Sequence, residues 1–335
     1  MAIAALTDLP GMMVSWDART AGVTYNAANG EITSYGAVAA PNGVNGSANG
    51  ATVSSIVNNP QWNPDGTYPS AMHKGRYDLS GGGGGTYGGV EVNLPTDIKT
   101  FTWTGGSGTF VVGETINQAV SLYAGTILSV DNGATKRMIV RTTSGTPNTS
   151  NIVTGATSLA TMTPNMQGYG HSNFCMAVVH EDYNMAGDYA DAFGCMIATV
   201  GGSTQMALSR TWADNSTNVN ENGGYAVGSV FGQDSGGAAP SASRSGCHKR
   251  VSVIWGDGSG VCYVASEAIG SKSVSFARTL VASPTDAKIA IGVISAANAA
   301  INPYIGNIFA AHVWWGGAYG DSQITDLLAF LNTSH

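Results

Sequence analysis

The sequence predicts an all-β protein, and three observations predict it. Apolar and polar residues alternate in many short runs; those runs end on Gly, Asn, Asp, Ser or Pro; and the chain is poor in charge and rich in glycine. Charged residues make up 10% of the 335 and glycine numbers 46, whereas an ordinary soluble domain carries roughly a quarter charged residues and about half as much glycine. Amphipathic helices need charged faces and are weakened by glycine, so this balance favours strands joined by tight turns. Hydrophobic residues reach 43%, enough to offset the ordering entropy of a packed core.

The alternating runs are residues 12–16, 110–116, 137–141, 175–179, 195–200, 251–255, 261–264, 289–293 and 308–315. In the run 251–255, Val251, Val253 and Trp255 share one face, which is expected to point into the core. Asp257-Gly258-Ser259-Gly260 separates it from 261–264 and predicts a β-hairpin. One stretch has a helical period: after Gly320, residues 321–331 place Ile324, Leu327, Leu328 and Leu331 on one stripe, with Asp321 as candidate N-cap. The glycine-rich stretch 80–89 reads as a flexible loop, or as a place where another chain comes close to the backbone.

Residues 104–163 have runs and turns of their own, including Asp131-Asn132-Gly133, and read as a small β module inserted into a larger domain. The expected division is therefore 1–103 and 164–335 for the two parts of the main domain, with 104–163 between them.

Charge narrows the partners. A net charge of −7 without any basic run offers nothing to a phosphate backbone, so nucleic acid is not an expected partner. The first residues lack the positive start and sustained apolar core of a secretory signal, and no stretch approaches the ~20 apolar residues of a membrane span. Synthesis in the cytoplasm without membrane insertion is the expectation. Cys175, Cys195, Cys247 and Cys262 form no C-x-x-C pair, so buried free thiols are expected in place of a zinc or redox motif.

An ordered series of segments resembles the concanavalin A-like lectin/glucanase superfamily, above all its laminin-G-like members. Met13-Val14-Ser15-Trp16-Asp17-Ala18 resembles the opening strand of that family, and Ile32-Thr33-Ser34-Tyr35-Gly36 the segment after it. Residues 247–255 resemble its strand with a "W/H-x-x-V-x-V" pattern, and Gly260-Val261-Cys262-Tyr263-Val264 the strand that follows. Residues 287–292, 304–314 and Asp321-Ser322-Gln323-Ile324 match later strands and the start of a short helix, so that the series covers about 60% of the chain. The resemblance implies a jelly-roll sandwich with a short C-terminal helix. The inserted section is similar to short β repeats of bacteriophage virion proteins, through Val112-Gly113-Glu114-Thr115 and Val153-Thr154-Gly155-Ala156-Thr157-Ser158-Leu159-Ala160.

Gly232-Gln233-Asp234-Ser235-Gly236-Gly237 and His312 look superficially like the serine and histidine segments of chymotrypsin-like proteases, but the order is reversed and no acidic partner is identifiable, so Ser235 is assigned to a surface loop. Gly83, Gly85 and Gly88 fit G-x-G-x-x-G, yet a strand-like segment follows where a phosphate site needs a helix. The E-x-D-x-x-E strand of the glucanase relatives is absent. Glu181 and Asp182, with Asp188 and Asp191 in the loop beyond, offer oxygens that can hold Ca²⁺, as loops of lectin-like sandwiches do; a solvated acidic loop is the alternative, and no other cofactor is expected. Trp212, Asp214, Asn215 and Asn218 combine an aromatic platform with short polar groups, the chemistry of a glycan site, or else form an ordinary polar connection. In Trp314-Trp315, strand alternation is expected to send one ring inward and the other outward.

These readings converge on a virion structural protein of a bacteriophage, exposed as a capsid decoration or auxiliary protein or as a tail-attached subunit, and multimeric in the particle. Its expected partners are other virion proteins and host surface glycans held weakly, and it is expected not to be an enzyme. A lectin-type receptor-binding adhesin is the alternative, with a polysaccharide depolymerase third. The absence of heptads argues against a self-standing trimeric fibre.

Overall fold

A computed structural model describes residues 3–17, 24–28, 32–34, 52–57, 61–63, 70–73, 89–93, 97–133, 136–167, 174–182, 192–200, 203–213, 220–227, 230–233, 249–257, 261–266, 268–277, 287–291, 302–303 and 306–334. These residues are mostly β, with one α-helix, Asp321–Ser334, at the C-terminal end. The all-β class expected from the sequence is the observed one.

Two eight-stranded sheets carry most of the strands. The first has the order Ala268–Ala277, Val261–Ser266, Lys249–Gly256, Phe174–Asp182, Gly306–Trp315, Ser70–His73, Gln61–Asn63, and Met12–Asp17 shares the outer side of Gly306–Trp315 with Ser70–His73. The second has the order Val230–Gln233, Asn220–Val227, Ser203–Ala213, Ala192–Val200, Ala287–Ile291, Gly89–Asn93, Thr52–Val57, with Asn302–Pro303 added in parallel to Ala192–Val200. Ser203–Ala213 comes close to Lys249–Gly256, and Asn220–Val227 to Val261–Ser266, so the two sheets stack.

Both faces of the first sheet are covered at its centre. Cys175, Met176, Ala177, Val178 and Val179 are five successive residues with no exposed surface, which is why this run is apolar throughout. Cys175, Ala177, Val179, Val251, Val253 and Trp255 lie beneath the helix, against Ile324, Leu327, Leu328 and Leu331. The expected face of Val251, Val253 and Trp255 is thus buried under the helix; Ile254, equally buried, faces the other way. Each such side chain contributes ~1.5–3 kcal/mol by leaving water.

The helix starts one residue earlier than the sequence suggests. The Gly320 carbonyl accepts the Ile324 N–H at 3.1 Å, and the Gln323 side chain takes the Gly320 N–H at 3.0 Å. Gly320 is therefore the N-cap and Asp321 the first helical residue, where its charge complements the helix dipole. The hairpin forms as expected: Lys249–Gly256 pairs with Val261–Ser266, and the Tyr263 hydroxyl donates to Asp257 Oδ2 at 3.1 Å.

A third sheet of seven strands is ordered Thr161–Met162, Val153–Gly155, Thr115–Gln118, Tyr123–Asp131, Arg137–Ser144, Ile98–Thr102, Asn165–Gln167. Its two edge strands follow one another in the chain with only Thr163 and Pro164 between them. So short a link spans on the order of 10 Å, so the sheet must curl until its edges approach. A bridge between Ser107 and Thr161 lies along that seam. The curled sheet encloses its own core, including Phe101, Phe110, Ile116, Tyr123, Val140 and Met162, with Phe101 edge-on to Tyr123 at 5.9 Å and Trp103 edge-on to Phe110 at 5.6 Å.

The alternating run 110–116 is not one strand. Only Thr115–Gln118 is extended; ahead of it the chain turns at Gly113, whose φ is +87°, and the Glu114 N–H donates back to the Val111 carbonyl at 3.2 Å. The Asp131-Asn132-Gly133 reversal is held by the Gly133 N–H on Asp131 Oδ1 at 2.7 Å.

The curled sheet is cemented to the first sheet through the segment leading into the helix. Arg137 Nη1 donates to the Gly316 and Gly317 carbonyls at 3.2 and 3.4 Å, while the Tyr319 hydroxyl, donating to the Pro10 carbonyl at 3.0 Å, ties that segment to the approach of Met12–Asp17. Gly316 has φ +94°, and a Cβ there would lie 2.6 Å from Thr100 Oγ1 and 2.7 Å from Ile139. Only glycine permits this approach.

Candidate functional site

The segments 112–115 and 153–160 are neighbours in space. Thr115–Gln118 pairs with Val153–Gly155, which sets Ile116 opposite Gly155. This register brings the Glu114 carboxylate to the turn beyond. There Oε1 accepts the Val111 N–H at 2.7 Å and the Ser158 hydroxyl at 2.8 Å, while Oε2 accepts the N–H groups of Thr157 and Ser158 at 3.1 and 3.0 Å. Glu114 is 6% exposed, yet four donors surround its charge. Burial alone would raise this carboxyl; the hydrogen bonds from the Ser158 N–H, the Val111 N–H, the Ser158 hydroxyl and the Thr157 N–H outweigh it and hold the group below the ordinary glutamate range. Gly155 leaves the room: a Cβ there would come within 2.6 Å of Glu114 Oε2.

Gln118 ties the other end of the same strand. Its Nε2 donates to the Asn148 and Asn151 carbonyls at 2.7 and 2.9 Å, and its Oε1 accepts from the Asn148 N–H at 2.8 Å and the Ser121 hydroxyl at 2.9 Å. A buried amide with every one of these bonds made fixes the 119–122 turn against the 148–151 loop. Asn132 does the same for the approach to Phe110, accepting its N–H at 3.0 Å and donating to its carbonyl at 2.9 Å.

These tied loops present apolar side chains to solvent. The curled sheet carries the exposed large hydrophobics Val111, Val112, Val120, Leu122, Ile152 and Leu159. Val111, Val112 and Leu159 flank the Glu114 knot; Val120, Leu122 and Ile152 flank the Gln118 knot. Leu122 and Leu159 sit at φ +54° and +56°, a conformation that costs a leucine ~1–2 kcal/mol, and are nonetheless 78% and 72% exposed. Between residues 104 and 130 the one side chain of the Asp, Glu, Lys, Arg or His types is Glu114, and between 142 and 167 there is none. The tips are tied and apolar, and the exposed Asp131 stands beside the Asn132 tie.

Where the two edges of the curled sheet approach, a cleft of about 860 Å³ opens. Thr102, Trp103, Thr104, Gly105 and Gly106 form one wall, Thr161 through Asn165 the other, and Lys136 and Ile152 complete it. The Trp103 N–H donates to the Lys136 carbonyl at 3.1 Å, and Thr102 Oγ1 to the Asn165 carbonyl at 3.3 Å. Its residues are scattered over more than sixty positions of sequence, so sequence reading did not assemble them; the one local signal, Pro164 in a two-residue link between strands, is weak on its own.

Of the residues proposed from the sequence, Glu181 and Asp182 lie at the end of the strand Phe174–Asp182, and Trp212 lies in Ser203–Ala213. Asp188, Asp191, Asp214, Asn215 and Asn218 fall outside the described residues, as does Ser235. Among the described residues no group of three His, Cys, Asp or Glu stands together as a metal site. His312 is fully buried within the first sheet, its Nδ1 3.1 Å from Ser15 Oγ. Trp314 and Trp315 do face opposite ways, but neither ring reaches solvent, because both faces of this sheet are covered. Cys175 is a buried free thiol, and burial pushes it well up from the ordinary range.

No protein-family description matches the chain, and no curated protein matches it. Solved structures do. A Trypanosoma rangeli sialidase in complex with a difluoro-KDN matches over 70% of this chain at 10% identity and a TM-score of 0.35; the chain spans 33% of that protein's length. Domain 4 of AbnA, a GH43 extracellular arabinanase from Geobacillus stearothermophilus, in complex with arabinotriose, matches over 68% of this chain and 89% of its own length, at 14% identity and a TM-score of 0.32. An arabinofuranosidase complexed with arabinofuranosyl-alpha-1,2-xylobiose matches over 72% of this chain and 63% of its own, at 11% identity and a TM-score of 0.33. These neighbours correct the expectation that the chain is not an enzyme: they come from proteins that act on glycosides, and that expectation is withdrawn. At such similarity they assign no activity to it either.

Proposed function

We propose that this chain is an exterior structural subunit of a bacteriophage particle, a capsid decoration or tail-attached protein built on a concanavalin A-like jelly roll. Its curled seven-stranded sheet is the part that meets neighbouring subunits. One observation carries this reading: loops of that sheet hold large hydrophobic side chains out to solvent, buried polar side chains pin those loops, and the stretches 117–122 and 148–160 contain no charged residue. Rigid apolar tips lose little entropy on docking and form the well-packed centre of a contact. Their neutrality selects a partner surface that is itself uncharged and apolar, because a charged one would be desolvated without compensation. The charge-poor, glycine-rich composition fits a protein whose role is to be packed among others.

The test is to locate the chain in intact particles by immunogold labelling or by its density in cryo-electron micrographs, and to repeat this with Val120→Glu and Leu122→Glu. The chain is expected on the particle exterior, and the double variant, folded in isolation, is expected to be lost from purified particles. Absence of the wild-type chain from particles purified to constant density would overturn the reading.

A further inference from the structure

We infer that the cleft along the seam of the curled sheet binds an acidic saccharide. The inference is independent of any place in a virion. A cleft of about 860 Å³ lies within the ~300–1,000 Å³ common for small-ligand sites. Its lining is the chemistry that recognises a sugar. Thr102, Thr104, Thr161 and Thr163 bring hydroxyls and Asn165 an amide for the ligand's hydroxyl groups, while Ile152, 60% exposed, offers an apolar surface for the C–H face of a pyranose ring.

Charge narrows the class. Among the described residues of the lining, Lys136 is the one charged side chain. The backbone there is at φ +38°, a conformation that a lysine adopts at a cost, and its carbonyl is held by the Trp103 N–H at 3.1 Å. A cation carried on a held backbone among hydroxyls and an amide matches a polyhydroxyl ligand that carries a carboxylate; Asp131, opposite Arg137 in the strand pair, is not part of the lining. A peptide strand fits less well. Pro164, in the link between the two edges, has no N–H to give to an added strand, and the edge strand beside it, Thr161–Met162, is only two residues long.

The experiment is titration calorimetry of the full chain with galacturonate and glucuronate trisaccharides, each beside its methyl ester. The acid is expected to bind at least tenfold more tightly than the ester. Lys136→Asn removes the cation and keeps a residue that tolerates positive φ; it is expected to equalise acid and ester while leaving Tm within a degree or two. Ile152→Asp, at an exposed site, is expected to abolish acid binding through repulsion with no loss of folding. Equal affinity of acid and ester for the wild type, no binding of either, or unchanged acid binding by Lys136→Asn would each overturn the inference.

Discussion

The first sheet and the curled sheet are both β, yet they are held together by different means. At the centre of the first sheet, five successive residues from Cys175 to Val179 are fully buried, and a helix lays Ile324, Leu327, Leu328 and Leu331 across one face. The curled sheet has a smaller apolar core and relies on three polar side chains, Glu114, Gln118 and Asn132, to fix the loops around it. Apolar burial is non-directional and tolerates some rearrangement; a buried carboxylate with four donors tolerates almost none. The first kind of order makes a scaffold. The second holds loops in place with Val120, Leu122 and Leu159 exposed to solvent.

If this contrast is right, the sharpest break comes from the helix. Leu328→Ala leaves a cavity beneath it and is expected to cost ~2–5 kcal/mol in urea unfolding. Hydrogen exchange should show the loss concentrated in the first sheet, with the amides of Thr115–Gln118 still protected. Equal loss of protection in both would mean that the two regions unfold as one unit.

The next largest effect is the converse. Glu114→Ala leaves the N–H groups of Val111, Thr157 and Ser158 without their acceptor and is expected to cost about 3 kcal/mol, with Glu114→Gln losing less because the amide still accepts. The sign with pH follows from the direction of its shift. The folded carboxyl lies below its ordinary value, so its contribution is complete above the unfolded value of roughly 4.3 and is lost as pH falls through the folded one. Acid titration of wild type against Glu114→Gln, read by the near-ultraviolet signal, should show the wild type alone losing stability in that window.

At the alkaline end Tyr123 gives the opposite sign. Burial raises its phenol to about 12, with the Thr142 hydroxyl at 3.5 Å pulling the other way. Ionisation is therefore easier in the unfolded chain, and stability that is complete below pH ~10 is lost as pH rises through about 12, by roughly 2–3 kcal/mol in all. Tyr123→Phe is expected to flatten that alkaline limb and to change stability at neutral pH by less than ~1 kcal/mol. A limb that persists unchanged would place the sensitivity elsewhere.

The same contrast decides how much was legible in the sequence. Apolar period sufficed for the scaffold: the stripe Ile324, Leu327, Leu328, Leu331 is buried as read, and strands centre on the runs 137–141, 251–255 and 308–315. Period misled at 110–116, where Phe110 and Ile116 are buried as a strand would bury them, but a turn at Gly113 and the Glu114 knot stand between. Alternation records which residues are buried, and a side-chain hydrogen bond to a turn forty residues away leaves no period. The Gly113-Glu114 and Thr157-Ser158 segments were visible as motifs, though their meeting was not. The cleft was further from reach, since Thr102, Lys136, Ile152 and Asn165 come together only because the edges of one sheet are drawn towards each other.

The smallest expected effect is the most discriminating about what the tips are for. Leu159 is held at φ +56° with its side chain 72% exposed, and its N–H donates to the Gly155 carbonyl at 3.1 Å. Glycine at this position removes a backbone cost of ~1–2 kcal/mol and returns ~0.5–1 kcal/mol to the unfolded chain as entropy, so Leu159→Gly should stabilise the isolated protein by at most about 1.5 kcal/mol. A contact made outside the molecule would account for a leucine where glycine is the more stable choice. Thermal unfolding of Leu159→Gly, set beside its incorporation into particles, separates the two roles: a higher Tm with poorer incorporation fits a contact residue, and a lower Tm shows that Leu159 serves the fold of its own chain.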